Sequence, residues 1–248
     1  MDPGTSSRRL GAADYGRTRW SVVRALAAGG EAEARSSLTD LCRRYWVPVY
    51  AYLRRCGHPP RGAAELTQSF LSWLLQHLRA EGVDRAHGFR SFLRLQLQRF
   101  LANDWTELEQ SAPLEELAPP WPLEDIEARQ RRAHSPDSTP EQAFQRSFAF
   151  ELLLQALDAL RQEATAAGRA QMFEALRPWL TREPAPGEIA AAAAALGMAP
   201  LAALVAVRRL RQRFQELVDE QLLQTLEDSG ALADERQALL GMLSGTQG

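Results

Sequence analysis

Residues 188–213 read EIAAAAAALGMAPLAALVAVRRLRQR. An alanine-rich segment comes first, a turn-like Gly197 follows, and the stretch ends in a longer segment that becomes rich in arginine. Two helices that cross closely need small side chains at the crossing, and the turn between them needs a residue that tolerates a positive φ. Ala193 lies at the expected helix crossing, and Gly197 lies in the expected turn. The pattern therefore predicts a helix-turn-helix.

Four arginines follow on the second predicted helix, where long cationic side chains can reach phosphates. These arginines favour nucleic-acid recognition. They are Arg208, Arg209, Arg211 and Arg213. An ordinary helical hairpin with a solvated arginine face is also consistent with the local pattern.

A membrane span is a third reading of the same stretch. Ile189 to Val207 is nineteen residues long without a charged or polar side chain, close to the length that crosses a bilayer. Most of these residues are alanine, which contributes little to insertion, and Gly197 with Pro200 interrupts the middle. We therefore expect no membrane segment here.

The basic residues are all arginine. The chain has 248 residues, 29 arginines, no lysine and a net charge of −2. Without lysine there is no P-loop lysine, no Schiff-base lysine and no lysine general base. A chain of this length can form one large domain or two small ones.

Neither cysteine nor histidine spacing indicates a metal site. The chain has Cys42 and Cys56 but no CxxC pair, and its four histidines form no HExxH or comparable ligand pattern. No nucleophile–base pair is evident either, so we expect no cofactor and no enzymatic activity. The N-terminus lacks the apolar core of a secretory signal, so we expect a cytoplasmic protein with reduced thiols.

Helical periodicity dominates the chain, and no strand-like alternation interrupts it before residue 110. Ser111 to Pro140 then holds six prolines and scattered acids without a sustained apolar period. We expect an all-α fold with two helical domains joined by a Pro-rich linker. The expected parts are a disordered tail over 1–17, a first helical domain over 18–110, an acidic linker over 111–139, a helix-turn-helix domain over 140–228 and a helical extension over 229–248.

Two local patterns refine this division. Thr139, Pro140 and Glu141 have the residue types of an N-cap, a first-turn proline and a first-turn acid, which predicts that a helix begins there. The C-terminal extension carries amphipathic stretches that can either fold back on the second domain or bind a regulator. Folding back is the favoured alternative.

Several segments resemble, in order and spacing, the bacterial RNA polymerase sigma factors of the small two-domain extracytoplasmic-function type. The resemblance spans roughly Thr18 to Leu240. The matching segments of the first half are TRWSVV, LCRRYWVPVYAYLRRCG, AAELTQSFLSWLL and GFRSFLRLQLQRFLAN, and those of the second half are TPEQAF, GRAQMFEALRPWL and LGMAPLAALVAVRRLRQRFQELV.

The resemblance implies that the helix over 65–75 docks on core RNA polymerase. A docking face needs hydrogen-bonding groups together with apolar side chains that become buried. The same apolar residues also make an ordinary core stripe, so part of this set is expected to face inward. The candidates are Glu65, Leu66, Gln68, Ser69, Phe70 and Trp73.

The resemblance also implies that the helix over 89–105 contacts and opens promoter DNA. Arg90, Arg94 and Arg99 would hold the phosphate backbone, and Asn103 would pair with a base edge. Trp105 would stack on a flipped base, or would simply pack the end of the helix. The partners implied are core RNA polymerase, promoter DNA, and an anti-sigma or DNA-targeting protein.

Two departures from the family fall on the expected DNA surfaces. Three acids lie in the stretch over 104–109, where relatives commonly carry a dense basic run. Residues 199–204 read APLAAL and offer no side-chain donor or acceptor at the start of the predicted recognition helix. We therefore expect a sigma-like initiation factor with weak DNA readout of its own, in which this apolar start binds a partner. The alternative is a sigma-derived adaptor or polymerase-sequestering regulator that does not support initiation.

Weak readout is directly measurable. Each bidentate base contact contributes about 1–3 kcal/mol of discrimination, so the loss of two or three lowers specificity by orders of magnitude. A fluorescence titration of the isolated chain with promoter-like duplex at low salt should show weak binding without sequence preference. Tight and sequence-selective binding would contradict the expectation.

Overall fold

The computed structural model of the protein describes residues 44–81, 89–102, 117–133, 137–224, 230 and 232–244. All regular structure in these ranges is helical, and they contain no strand. The all-α fold class predicted from the sequence is therefore confirmed for the described residues. The predicted tail over 1–17 lies outside them, as do Asn103 and Trp105.

The helices are numbered along the chain. Residues 44–55 are the described part of α1. The others are α2 Pro60–Glu81, α3 Phe89–Ala102, α4 Leu123–Ala133, α5 Pro140–Ala166, α6 Ala170–Leu176 with a following 3₁₀ turn Arg177–Leu180, α7 Glu188–Ala195, α8 Pro200–Leu223 and α9 Leu232–Ser244.

The long helix α5 begins at a capping box. The backbone N–H of Gln142 donates to Thr139 Oγ1 at 3.2 Å, and the backbone N–H of Thr139 donates to Gln142 Oε1 at 2.9 Å. These two bonds satisfy donors that the start of a helix leaves without a partner. Pro140 fits the first turn because it has no N–H to lose. The predicted helix start at residues 139–141 is confirmed.

One hydrophobic cluster joins α1, α2 and α3 to α5, α8 and α9. Its centre is aromatic: Phe70 and Phe100 meet edge to face with ring centroids 5.4 Å apart, and Tyr45 stacks on Phe148 at 5.8 Å. Residues from both sides of the predicted linker share this cluster. The core is therefore continuous across residues 111–139, and the division into two domains stays a prediction.

Helix α4 lies inside the predicted linker, where the sequence pattern did not indicate a helix. Its buried face is formed by Ile126, Gln130 and Ala133. Only one of these three side chains is strongly apolar, so the stripe has no clear hydrophobic period. Polar contacts add to the packing, since Glu127 accepts hydrogen bonds from the Tyr50 hydroxyl and from Arg54 Nε, the latter at 2.9 Å.

The C-terminal helix α9 folds back onto the core, as favoured by the sequence. It packs against α5 and α8 and buries Leu239 and Met242. An ion pair between Arg236 and Asp219 of α8 lies at its outer edge, with Arg236 Nε 3.0 Å from Asp219 Oδ1.

The packing of α4 predicts a stability difference between two substitutions on the same helix. Ile126→Ala should lower the free energy of unfolding by about 2–5 kcal/mol, because it leaves a cavity at a fully buried position. Arg132→Ala, at an exposed position, should change it by less than about 0.5 kcal/mol. Urea unfolding followed by circular dichroism measures both. Equal, small effects would mean that residues 123–133 do not contribute to the core.

Candidate functional site

Helices α7 and α8 are joined by residues 196–199 and are bent by 100° relative to each other. Ala193 of α7 and Ala203 of α8 are fully buried in the small cluster that connects the two helices. Gly197 has a φ of 65°, the left-handed conformation that glycine adopts without steric cost. The two small-residue requirements predicted from the sequence thus fall on Ala193 and Gly197.

The bend between these helices also concerns the hypothesis that residues 189–207 span a membrane. No single helix among the described residues is long and apolar enough to span a bilayer. Helices α7 and α8 reach the necessary length and composition only together, and they bend sharply between Ala195 and Pro200.

The N-terminus of α7 is held by the carboxylate of Glu188. Its Oε2 accepts hydrogen bonds from Trp179 Nε1 at 2.9 Å, Arg182 Nη1 at 2.7 Å and the backbone N–H of Ala185 at 2.9 Å, and its Oε1 accepts one from Arg182 Nη2 at 3.0 Å. Hydrogen bonds lower the pKa of Glu188 to about 2, and the largest effect comes from Arg182, followed by Trp179 and Ala185. The network fixes the helix pair to the preceding 3₁₀ turn.

Two of the four predicted α8 arginines make intramolecular contacts. Arg211 donates to the backbone oxygens of Trp179 and Arg182 and to Glu183 Oε1, each at 2.7 Å. Such contacts use its whole guanidinium to hold the loop before α7. Arg211 therefore stabilises the fold in this structure rather than facing a ligand.

Arg213 is also paired within the chain. It forms a bidentate pair with Glu163 of α5, at 2.9 and 2.7 Å, and further bonds to Glu216 and Glu220 at 3.1 and 3.0 Å. The hydrogen bond from Arg213 lowers the pKa of Glu163. This residue joins α8 to α5.

Arg208 and Arg209 differ from these two. Both are exposed, and neither has an ion pair or hydrogen-bond partner for its side chain within the described residues. Of the four arginines predicted on α8, these two are exposed to solvent.

The arginines predicted on α3 are divided in the same way. Arg90 lies between helices, with Nη1 3.0 Å from Glu235 Oε1 and its guanidinium 5.5 Å from the ring centre of Phe148. Arg94 is half-buried, and Arg99 is exposed near the end of the helix. Arg99 is therefore the most exposed of the three predicted α3 arginines.

Of the predicted polymerase-docking residues on α2, some are buried in the core and others are exposed or half-buried. Phe70 is fully buried and stacks beside Trp73, with ring centroids 6.2 Å apart. It is therefore a core residue, in line with the core-stripe alternative. Glu65 is exposed, and the half-buried members of the set are Leu66, Gln68, Ser69 and Trp73.

The apolar start of α8 borders a groove of about 690 Å³. Leu201, Leu204 and Val205 are 72%, 47% and 43% exposed, which is unusual for large apolar side chains in adjacent turns. Leu201 and Val205 line the groove together with side chains from the end of α5 and from α6. Other lining residues are Leu160, Glu163, Ala164, Arg169, Met172, Met198, Ala199, Ala202, Ala206, Arg209, Leu210 and Arg213.

Sequence reasoning identified one wall of this groove and missed the other. The apolar start of α8 was visible as APLAAL, but Leu160, Ala164 and Met172 look like ordinary helix-core residues. Only packing brings them opposite α8. Contiguous exposed apolar surface of this kind often marks a binding site for another protein.

Comparisons of the chain with protein-family models, with curated proteins and with solved structures give no match. Within the described ranges, no group of three or more histidine, cysteine, aspartate or glutamate side chains is arranged to hold a metal ion.

The network at Glu188 predicts a testable titration. Its carboxyl should titrate at about 2 rather than at the ordinary 4.5, and Arg182→Gln should raise the pKa by removing the main hydrogen-bond donor. Because the folded pKa is the lower one, the network stabilises the fold above pH 4.5, and this contribution is lost as the pH falls toward 2.

Carbon-13 NMR of the Glu188 carboxyl measures both values. Arg177→Gln is the matched control, because this exposed arginine pairs with Glu174 instead, at 3.5 Å. An equal shift in the two variants would contradict the assignment to Arg182.

Proposed function

We propose that this protein is a sigma-like transcription initiation factor that binds core RNA polymerase and directs promoter recognition, with a partner supplying part of the targeting. One observation carries the proposal: α7 and α8 cross at 100° about a four-residue turn that contains Gly197. DNA-binding helix-turn-helix units have helices at about 90–120° joined by a turn of three or four residues, often with glycine. The ordered resemblance of the flanking segments supports the same function.

The distribution of cations supports contact with the DNA backbone rather than with bases. Arg99 on α3 and Arg208 and Arg209 on α8 are exposed and can bind phosphates. The first two turns of α8 present Leu201 and Leu204, which have no donor or acceptor for base edges. We therefore propose that the chain binds promoter DNA with low sequence discrimination of its own.

The groove beside α8 supports the requirement for a partner. Its floor is apolar, while Arg169 and Arg209 at its rim have no acidic partner among the described residues. An apolar groove with a positive rim suits an amphipathic helix whose polar face carries acids. A partner that binds through such a helix would bring the protein to its promoter, and so would compensate for the missing base contacts.

A second candidate is a sigma-derived adaptor or polymerase-sequestering regulator. The observation that favours it is the internal pairing of Arg90, Arg211 and Arg213, which removes three predicted cations from the DNA-facing set. A chain with fewer free cations can bind polymerase without holding DNA well enough to initiate.

Two assays with the full chain and core RNA polymerase from its own host separate these functions. The initiation factor should copurify with core polymerase and support run-off transcription. Polymerase binding without transcripts would favour the adaptor, and absence of polymerase binding would refute both.

The exposed arginines of α8 provide a variant for the same assays. Arg208→Gln with Arg209→Gln should lower transcript yield severalfold without changing polymerase binding, because two phosphate contacts are lost. Arg131→Gln with Arg132→Gln, two exposed arginines of α4, is the matched control and should have no effect. Equal yields from both double variants would contradict a DNA role for the α8 pair.

A further inference from the structure

The C-terminal helix α9 places an acid directly on a helix that is proposed to contact DNA. Glu235, in the first turn of α9, lies 3.0 Å from Arg90 Nη1 on α3. Met242 of α9 approaches the same guanidinium, with Sδ 3.5 Å from Nη1. As a result the Arg90 side chain is only 15% exposed, and the carboxylate takes the position that a phosphate would need.

A second cation, Arg94, lies close to the covered guanidinium of Arg90. Arg94 follows Arg90 by one helical turn, and like charges at this spacing repel each other. Burial and Arg94 both lower the pKa of the Arg90 guanidinium, whereas Glu235 raises it. Arg94 has no ion-pair partner within the described residues. An anion beside Arg90 stabilises its charged form, and Glu235 supplies that anion in the structure.

The attachment of α9 is modest compared with that of the central helices. Leu239 and Met242 are its buried apolar side chains, and Leu232, Ala238 and Leu243 are half-buried against the same core, while the neighbouring Leu240 is 52% exposed. The outer ion pair between Arg236 and Asp219 is solvent-accessible, and pairs of that kind contribute little. By contrast, α5 buries side chains along most of its length, from Ala143 to Ala164. Fewer buried side chains therefore hold α9 than hold α5.

We propose that α9 is an autoinhibitory cover, in which Glu235 occupies the phosphate position at Arg90 and release of α9 exposes Arg90, which then binds the nucleic-acid backbone beside Arg94. The inference rests on the proposed function, because it requires that α3 contact DNA. It goes beyond that function by assigning a regulatory role to the C-terminal extension and a competitor to one phosphate contact.

Two substitutions of neighbouring leucines test the cover in the full chain. Leu239→Glu puts a charge at a buried position and should release α9, whereas Leu240→Glu adds the same charge at an exposed position and should not. Amide hydrogen exchange over residues 232–244, measured by mass spectrometry, reports release. Exchange there should be much faster in Leu239→Glu than in Leu240→Glu or the parent chain.

The functional readout is fluorescence anisotropy with a labelled duplex of arbitrary sequence at several salt concentrations. Each additional phosphate contact makes the slope of log K against log salt steeper by about 0.9. The Leu239→Glu slope should exceed the Leu240→Glu slope by about that amount for each arginine engaged. One such contact corresponds to about threefold more affinity loss when salt rises fourfold. Adding Arg90→Gln to the Leu239→Glu chain should remove the Arg90 share of the difference.

Three results would overturn the cover: faster exchange without a steeper slope, a steeper slope that survives Arg90→Gln, or no faster exchange in Leu239→Glu. These failures leave polymerase binding and transcription by the parent chain untouched, so they are distinguishable from failure of the proposed function. If Leu239→Glu unfolds the whole chain by circular dichroism, Glu235→Gln replaces it. That variant removes only the competing charge and should also bind the duplex more tightly than the parent, and equal binding would overturn the inference.

Discussion

The burial of α5 is the constraint on which the other elements depend. Helices α4, α6, α8 and α9 all pack against it, and it contributes Phe144, Phe148 and Leu152 to the main cluster. A helix covered on several sides needs apolar residues around most of its circumference rather than on one stripe. Both candidate functional regions use this helix as their support, since Phe148 lies under Arg90 and Leu160 lines the groove.

Arginine is the cation of every ion pair in the described residues, and the fold divides its arginines between structure and surface. Arg213 pairs with Glu163 and Arg90 with Glu235, so each joins helices that are far apart along the chain. An arginine that bridges two packed helices is partly desolvated and has its planar donors occupied, so it is a poor phosphate ligand. Arg208 and Arg209, which have no acidic partner among the described residues, stay exposed.

Local patterns predicted those features that depend on neighbours in the chain. The N-cap at Thr139 and the positive φ at Gly197 follow from side-chain and backbone geometry within a few residues. Helix α4 escaped prediction because its buried face contains Gln130 beside a single large apolar residue, Ile126. Its burial depends on helices that lie before and after it in the chain. The apolar periodicity of residues 123–133 alone therefore does not indicate it.

The amino-acid sequence alone determined that the described residues are helical, where α5 and the turn between α7 and α8 fall, and that the start of α8 is apolar. Tertiary structure alone decided that Phe70 lies in the core, that Arg211 holds a loop, and that the exposed apolar start of α8 borders a groove completed by α5 and α6. The physical reason is the range of the interactions. Helix propensity, capping and turn geometry act over a few residues, whereas burial and charge pairing depend on which helices meet.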